Sequence, residues 1–413
     1  LPAYAAAIAA GADFVECDVH LTADLQPICR HDADLSATTD AAERFPSRER
    51  TREVDGLNVT GVFACDLTLD EVRTLRARQR WPEDRGTAHD GAYGVATLDE
   101  LMVLVDGSSS AASTSPPSVG RVVGLYPETK HAAWHDAIFA ERWRRRDPRL
   151  MAGLRALLGS KEEDRTNGRR LLERAVVARL AKGGYLNGAA SSDAWRARPA
   201  YVQSFEIESL RAVEALAQRG GMRTAGARLP AVLPRANKGG NAVPLVLLLG
   251  GWPGWRTADT GETLERQLSR LETTWAREVD GVGPWKESLF AIGGREQAAE
   301  GGASAAVAAA HGGDVAAAEA EAAAGLDTES ATPPEPSGLL PRLKAAGLVV
   351  HAYSVRPEQR FVLPGFGGRS EREMAALFFG GGGADGTGVD GAFADHPAAM
   401  VRFLVAQGLR SEA

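Results

Sequence analysis

Phe14-Val15-Glu16-Cys17-Asp18-Val19 is the stretch on which the reading turns. As a strand, its period of two puts Phe14, Glu16 and Asp18 on one face and Val15, Cys17 and Val19 on the other. Two carboxylates then share a face. Strands of a parallel sheet are normally buried on both sides, where two like charges are costly unless a cation neutralises them; an edge strand with a wet acidic face is the competing reading.

Working outward, short apolar or β-branched runs recur at Asp13–His20, Arg121–Pro127, Ala200–Phe205, Pro244–Leu249, Asp280–Val282, Leu348–Ser354 and Gly391–Ala394. Segments with helical periodicity follow several of them, at Glu206–Arg219, Gly261–Arg277 and His396–Gln407, and Pro2–Ala10 reads as a helix before the first. This alternation implies a parallel sheet with helical crossovers. The expected fold is a (β/α)8 TIM barrel over residues 1–413 whose first strand lies before Leu1. Residues 33–118 form an insertion, with a long excursion over Ala33–Thr97 and a Ser/Pro/Ala-rich connection at Ser108–Ser118. Residues 297–337 are dominated by Ala, Gly and Glu and read as a disordered low-complexity insertion, because they hold too little large apolar surface to offset chain entropy. Gly380–Gly388 reads as a flexible loop.

Among the 413 residues, 44% are hydrophobic and 24% charged, an ordinary globular balance. A net charge of −7 leaves no footprint for nucleic acid, and Arg142, Arg144, Arg145 and Arg146 read as a solvated helix end. Val243–Leu249, the longest clean apolar run, falls far short of a membrane span. Cys17, Cys29 and Cys65 have no metal-ligand spacing and leave one sulfur over in any disulfide scheme, so they set no compartment.

A second acidic site lies at Tyr126-Pro127-Glu128-Thr129-Lys130, where a strand runs into a carboxylate and, two residues later, an ammonium on the same side. The C-terminal ends of barrel strands form the active face, so Glu16, Asp18 and Glu128 can converge on one hard cation, Mg²⁺ or Ca²⁺ rather than zinc. A surface ion pair is the alternative for Glu128 and Lys130. His31 sits in the loop after the paired carboxylates and suits proton transfer, with His20 as its nearest competitor. His131 and His135 have helical spacing without the intervening Glu of a zinc protease and read as a helix face.

Taken together, Gly11-Ala12-Asp13-Phe14-Val15-Glu16-Cys17-Asp18-Val19, Leu21-Thr22, Pro27, His31-Asp32 and Thr38-Thr39-Asp40 resemble the glycerophosphodiester phosphodiesterase family. Thr51 to Gly56 and Asp66 to Val72 resemble the insertion of its periplasmic-type branch, and Tyr126 to Lys130, Val202 to Phe205, Gly347 to Tyr353 and Gly388 to Asp395 follow in the family's order. The resemblance implies metal ligation by Glu16, Asp18 and Glu128, with His31 and Lys130 acting on the phosphate and Phe205, Tyr353 and Arg356 near the substrate. It implies hydrolysis of a small glycerophosphodiester to an alcohol and glycerol 3-phosphate, and an extracytoplasmic location for that branch. A lyase acting on choline or inositol lipids and a non-catalytic phosphodiester-binding barrel are the alternatives. The family opens with a strand ending in His-Arg, which residues 1–413 do not supply, so this stretch alone is expected to bind metal but turn over little.

Overall fold

The structure is a computed structural model that describes residues 1–109, 121–159, 166–188, 192–218, 242–251, 255–291, 333–380 and 388–411. The chain divides into two compact units, one of Leu1–Ile8 with Asp13–Leu245, the other of Ala9–Ala12 with Val246–Ala413.

In the first unit β1 (Phe14–Leu21) follows a helix at Pro2–Ala9. The short strand β2 (Pro27–Cys29) turns back against its end, pairing Val19 with Cys29 and Leu21 with Pro27. A hairpin of β3 (Arg50–Val54) and β4 (Leu57–Gly61) turns at Asp55-Gly56, both with positive φ, as a two-residue hairpin loop requires. β5 (Gly124–Thr129) lies parallel to β1 from Phe14↔Gly124 to Val19↔Thr129, and β6 (Val202–Ser204) lies parallel to β5 with Glu128 opposite Gln203. Helices at Ala132–Arg144, Leu171–Lys182 and Ile207–Gln218 complete the α/β pattern.

Burial along β1 alternates as its sequence requires: Val15, Cys17 and Val19 are buried, while Phe14, Glu16 and Asp18 are only partly covered. The excursion over 33–97 packs Leu35, Val62, Leu67, Val72 and Leu75 into an apolar cluster that includes Ile28 of β2. A capping box at Thr68 and Glu71 starts the short helix Leu69–Arg73 inside it.

The second unit is also α/β. In it β7 (Leu245–Leu249) is parallel to β8 (Gly281–Pro284). A two-residue pair, β9 (Phe290–Ala291) with β10 (Glu335–Pro336), is antiparallel, and β11 (Val349–Val355) joins β8 to β12 (Gly391–Ala394) in parallel register. Of the low-complexity insertion, residues 297–332 lie outside the described residues, as do 110–118 of the Ser/Pro/Ala-rich connection and 381–387 of the glycine loop. At its C-terminal end Glu335–Pro336 is strand, not disordered chain.

The structure supplies one pairing that the sequence left open, and it corrects the readings of His131 and Arg142. Cys17 and Cys29 form a disulfide, Cα to Cα 5.3 Å, because the tight return of β2 lays Cys29 beside β1; an odd count of cysteines in the sequence could not reveal that pairing. His131 is not on a helix face: it stands before the helix Ala132–Arg144 in a left-handed conformation (φ 51°), and only His135 lies on the helix, where it is buried. Arg144, Arg145 and Arg146 are exposed as expected, but Arg142 turns inward to the Asp66 carboxylate and the Cys65 carbonyl. Among the described residues no helix is long and apolar enough to cross a membrane.

Candidate active site

The register of three neighbouring strands builds the site. Asp18 on β1 stands opposite Glu128 on β5, and Glu128 stands opposite Gln203 on β6, so three polar side chains form a row near the strand ends. Glu16 lies two residues earlier on the same face of β1 and accepts a hydrogen bond from the Gln203 amide at 3.2 Å. Carboxylate oxygens of Glu16, Asp18 and Glu128 all lie within 4.8 Å of one another. The Lys130 ammonium reaches over this group, 3.0 Å from Asp18 and 3.6 Å from Glu128, and packs 5.8 Å above the Phe205 ring.

Burial raises the Glu16 carboxyl well above its ordinary range, and the charges of Asp18 and Glu128 add to the shift. Glu128 is raised in the same way, burial outweighing the pull of Lys130. Asp18 is held below the usual range: burial alone would raise it, but Lys130 and then His31 prevail. For Lys130, burial favours the neutral amine, yet Asp18 and Glu128 together keep it charged. One ammonium is thus too little positive charge for three carboxylates. The donor set is all oxygen and rigidly strand-borne, which fits a hard divalent cation.

His31 is brought to this group by its loop. The Cys17–Cys29 disulfide fixes the start of the loop, the Arg30 amide donates to the Asp18 carbonyl at 2.9 Å, and the His20 ring meets the His31 carbonyl at 3.4 Å. The His31 ring is 47% exposed, and its Nδ1 lies 2.7 Å from Asp32. His20 faces inward instead. It is fully buried, 3.1 Å from the ring of His135, and burial pushes its pKa down to about 3, so it stays neutral and structural.

Residues 1–121, which hold Glu16, Asp18 and His31, match the model of the glycerophosphoryl diester phosphodiesterase family. Over that stretch the chain is similar to this family. A glycerophosphodiester phosphodiesterase of Arabidopsis thaliana is 36% identical over 211 residues, 51% of this chain and 46% of that protein. One of Treponema pallidum is 30% identical over 140 residues, 31% of this chain and 35% of its own length. The chain therefore spans less than half of these relatives. A solved phosphodiesterase of Oleispira antarctica, in complex with the product sn-glycerol-3-phosphate, aligns at 15% identity over 97% of this chain and 88% of its own, with a TM-score of 0.43.

Tyr353 and Arg356 belong to the second unit. There the Tyr353 hydroxyl donates to the Leu249 carbonyl at 3.0 Å, and Arg356 pairs with Asp395 at 3.0 Å. Three residues around the site were not singled out from sequence: Gln203, Asp32 and Arg80. Gln203 had a usable signal, since it occupies on β6 the position that Glu128 occupies on β5. Arg80 had none, because 48 residues separate it from its partner Asp32.

Proposed function

We propose that the chain hydrolyses glycerophosphodiesters, with Glu16, Asp18 and Glu128 holding one divalent cation, Mg²⁺ or Ca²⁺. The observation that carries this reading is the gathering of three strand-borne carboxylates around a single ammonium; two of the three, Glu16 and Asp18, lie inside the segment that matches the family. A cation bound there supplies Lewis-acid charge against the phosphate. Lys130 adds a second positive charge facing the same oxygens, which lowers the cost of negative charge developing in the transition state. His31, exposed on one edge and fixed through Nδ1, exchanges a proton with the attacking or the leaving oxygen at Nε2. Phe205 lies under Lys130 and supplies an apolar wall; Tyr353 and Arg356 are assigned to the substrate by family likeness.

The same reading takes both α/β units as parts of one (β/α)8 barrel, with residues 33–118 and 297–337 as insertions in it. It also takes the protein to work in an oxidising compartment, since the Cys17–Cys29 disulfide persists there and not in a reducing cytosol. Peptide mapping of the denatured, unreduced protein from its native host should find Cys17 linked to Cys29; free thiols at both would refute that placement.

The deciding assay uses glycerophosphocholine with protein expressed from the complete reading frame. Glycerol phosphate and choline should appear only with added Mg²⁺ or Ca²⁺ after chelation, and Glu16→Ala should remove both turnover and cation binding. Unchanged turnover in Glu16→Ala, or a lasting cyclic phosphate as the product, would sink the hydrolase reading.

A further inference from the structure

His31, Asp32 and Arg80 form a chain of contacts that crosses from the acidic site into the excursion. His31 Nδ1 lies 2.7 Å from one oxygen of Asp32, and the other oxygen accepts from the Arg80 guanidinium. The Asp32 side chain is 2% exposed, so its two oxygens have no bulk water to turn to. Arg80 is itself mostly covered, at 19% exposure. Its stretch of chain is held in place nearby: the Arg78 amide donates to the Thr38 carbonyl at 2.9 Å, and Arg30 donates to that same carbonyl at 3.0 Å. Arg80 therefore approaches Asp32 from a backbone that is anchored rather than free.

An ionised carboxylate accepts from Nδ1–H, which fixes the imidazole tautomer and leaves Nε2 free to exchange a proton. That arrangement works only while the carboxylate keeps its charge and its angle. Burial pushes the Asp32 carboxyl up, but His31 and Arg80 together hold it well below the usual range. A guanidinium is suited to the task because it stays charged and presents its donors in a fixed fork.

We propose that Arg80 is a positioning residue for His31: by clamping the far oxygen of Asp32, it holds His31 as the Nδ1–H tautomer with Nε2 directed to the reacting phosphodiester. The segment around residue 80 thus serves the reaction without touching the substrate. This inference rests on the hydrolase reading for its kinetic consequence, though not for its structural one.

Two measurements on the full-length protein test it. In kinetics, Arg80→Ala should lower kcat by about 10–100-fold with KM for glycerophosphocholine little changed, as loss of an outer partner does elsewhere, and Arg80→Lys should recover part of the loss. In ¹⁵N-histidine spectra, with His31 assigned through His31→Asn, the wild type should show a protonated Nδ1 and an unprotonated Nε2. Arg80→Ala should shift both nitrogens toward a mixture of tautomers. An unchanged His31 tautomer in Arg80→Ala overturns the proposal, as does a kcat loss that Arg80→Lys does not relieve. If the wild type turned over no glycerophosphodiester, the hydrolase reading would fail while the tautomer measurement still judged the Arg80 clamp.

Discussion

Lys286 and Glu373 in the second unit form a closed pair, whereas Lys130 in the first unit faces three carboxylates. Lys286 lies 3.0 and 3.2 Å from the two oxygens of Glu373 and also donates to the Phe361 carbonyl, and Glu373 accepts from the Leu363 amide at 2.8 Å. Both side chains are essentially inaccessible, at 1% and 0%. Here a single ammonium meets a single carboxylate at short range. Around Lys130 the three acidic groups, if all ionised, exceed the ammonium by two negative charges, the difference one divalent cation would remove. The first arrangement holds a fold together; the second leaves acidic charge that bound protons or a cation would neutralise.

That contrast can be broken from either side. The largest effect expected is on catalysis: Glu128→Gln should cut turnover by on the order of 10³-fold, about 4 kcal/mol in activation free energy. In chelator the same variant should unfold at an equal or higher temperature than wild type, because a buried like charge has been removed. Lys286→Met should do the reverse. Leaving Glu373 without its ammonium should cost about 3–5 kcal/mol in urea unfolding, while the molecules that remain folded keep wild-type kcat. A large stability loss in Glu128→Gln, or a loss of kcat in folded Lys286→Met, would erase the distinction.

Smaller effects sharpen it. The disulfide ties the strand that carries Glu16 and Asp18 to the start of the His31 loop, so Cys17→Ser with Cys29→Ser should lower unfolding stability by about 3 kcal/mol, the entropy of a loop this short. It should also weaken the apparent cation affinity measured by calorimetry. The smallest effect is a pH linkage. Glu16 and Glu128 have folded pKa values raised above the ordinary 4.5, so the folded chain holds protons that the unfolded chain has released. Above that pH, cation-free stability should fall as pH rises. Neutral buried His20 acts in the opposite sense between about 3 and 6.5, so the informative quantity is the difference made by the cation. The gain in melting temperature on adding Mg²⁺ or Ca²⁺ should grow between about pH 5 and pH 8. A gain that stays constant or shrinks would mean that no protons are displaced.

Much of the architecture was legible in local pattern. The expected strand at Asp13–His20 forms at Phe14–Leu21, and the one at Leu348–Ser354 forms at Val349–Val355, because apolar runs bounded by turns decide where strands lie. The shared face of Glu16 and Asp18 followed from the strand period alone. The meeting of Asp18 with Glu128 needed more, namely the register between β1 and β5, for which the sequence offered only the general habit of barrel strands. What could not be read was long-range and chemically unspecific: the Cys17–Cys29 bond, the inward turn of Arg142 to Asp66, and the reach of Arg80 to Asp32. His20 shows why type is not enough, since its distance along the chain from Asp18 suggested a catalytic neighbour and its burial against His135 makes it part of the interior.

Cys65, the third sulfur, sits fully buried beside Asp66 in the excursion, and burial pushes its thiol up to about 12. Such a group is inert toward maleimides while the surrounding shell is shut and reacts at the speed of an ordinary cysteine once that shell parts. The molecule therefore carries its own stopwatch: the rate at which a single label attaches, followed by mass spectrometry, times the breathing of the very segment that delivers Arg80.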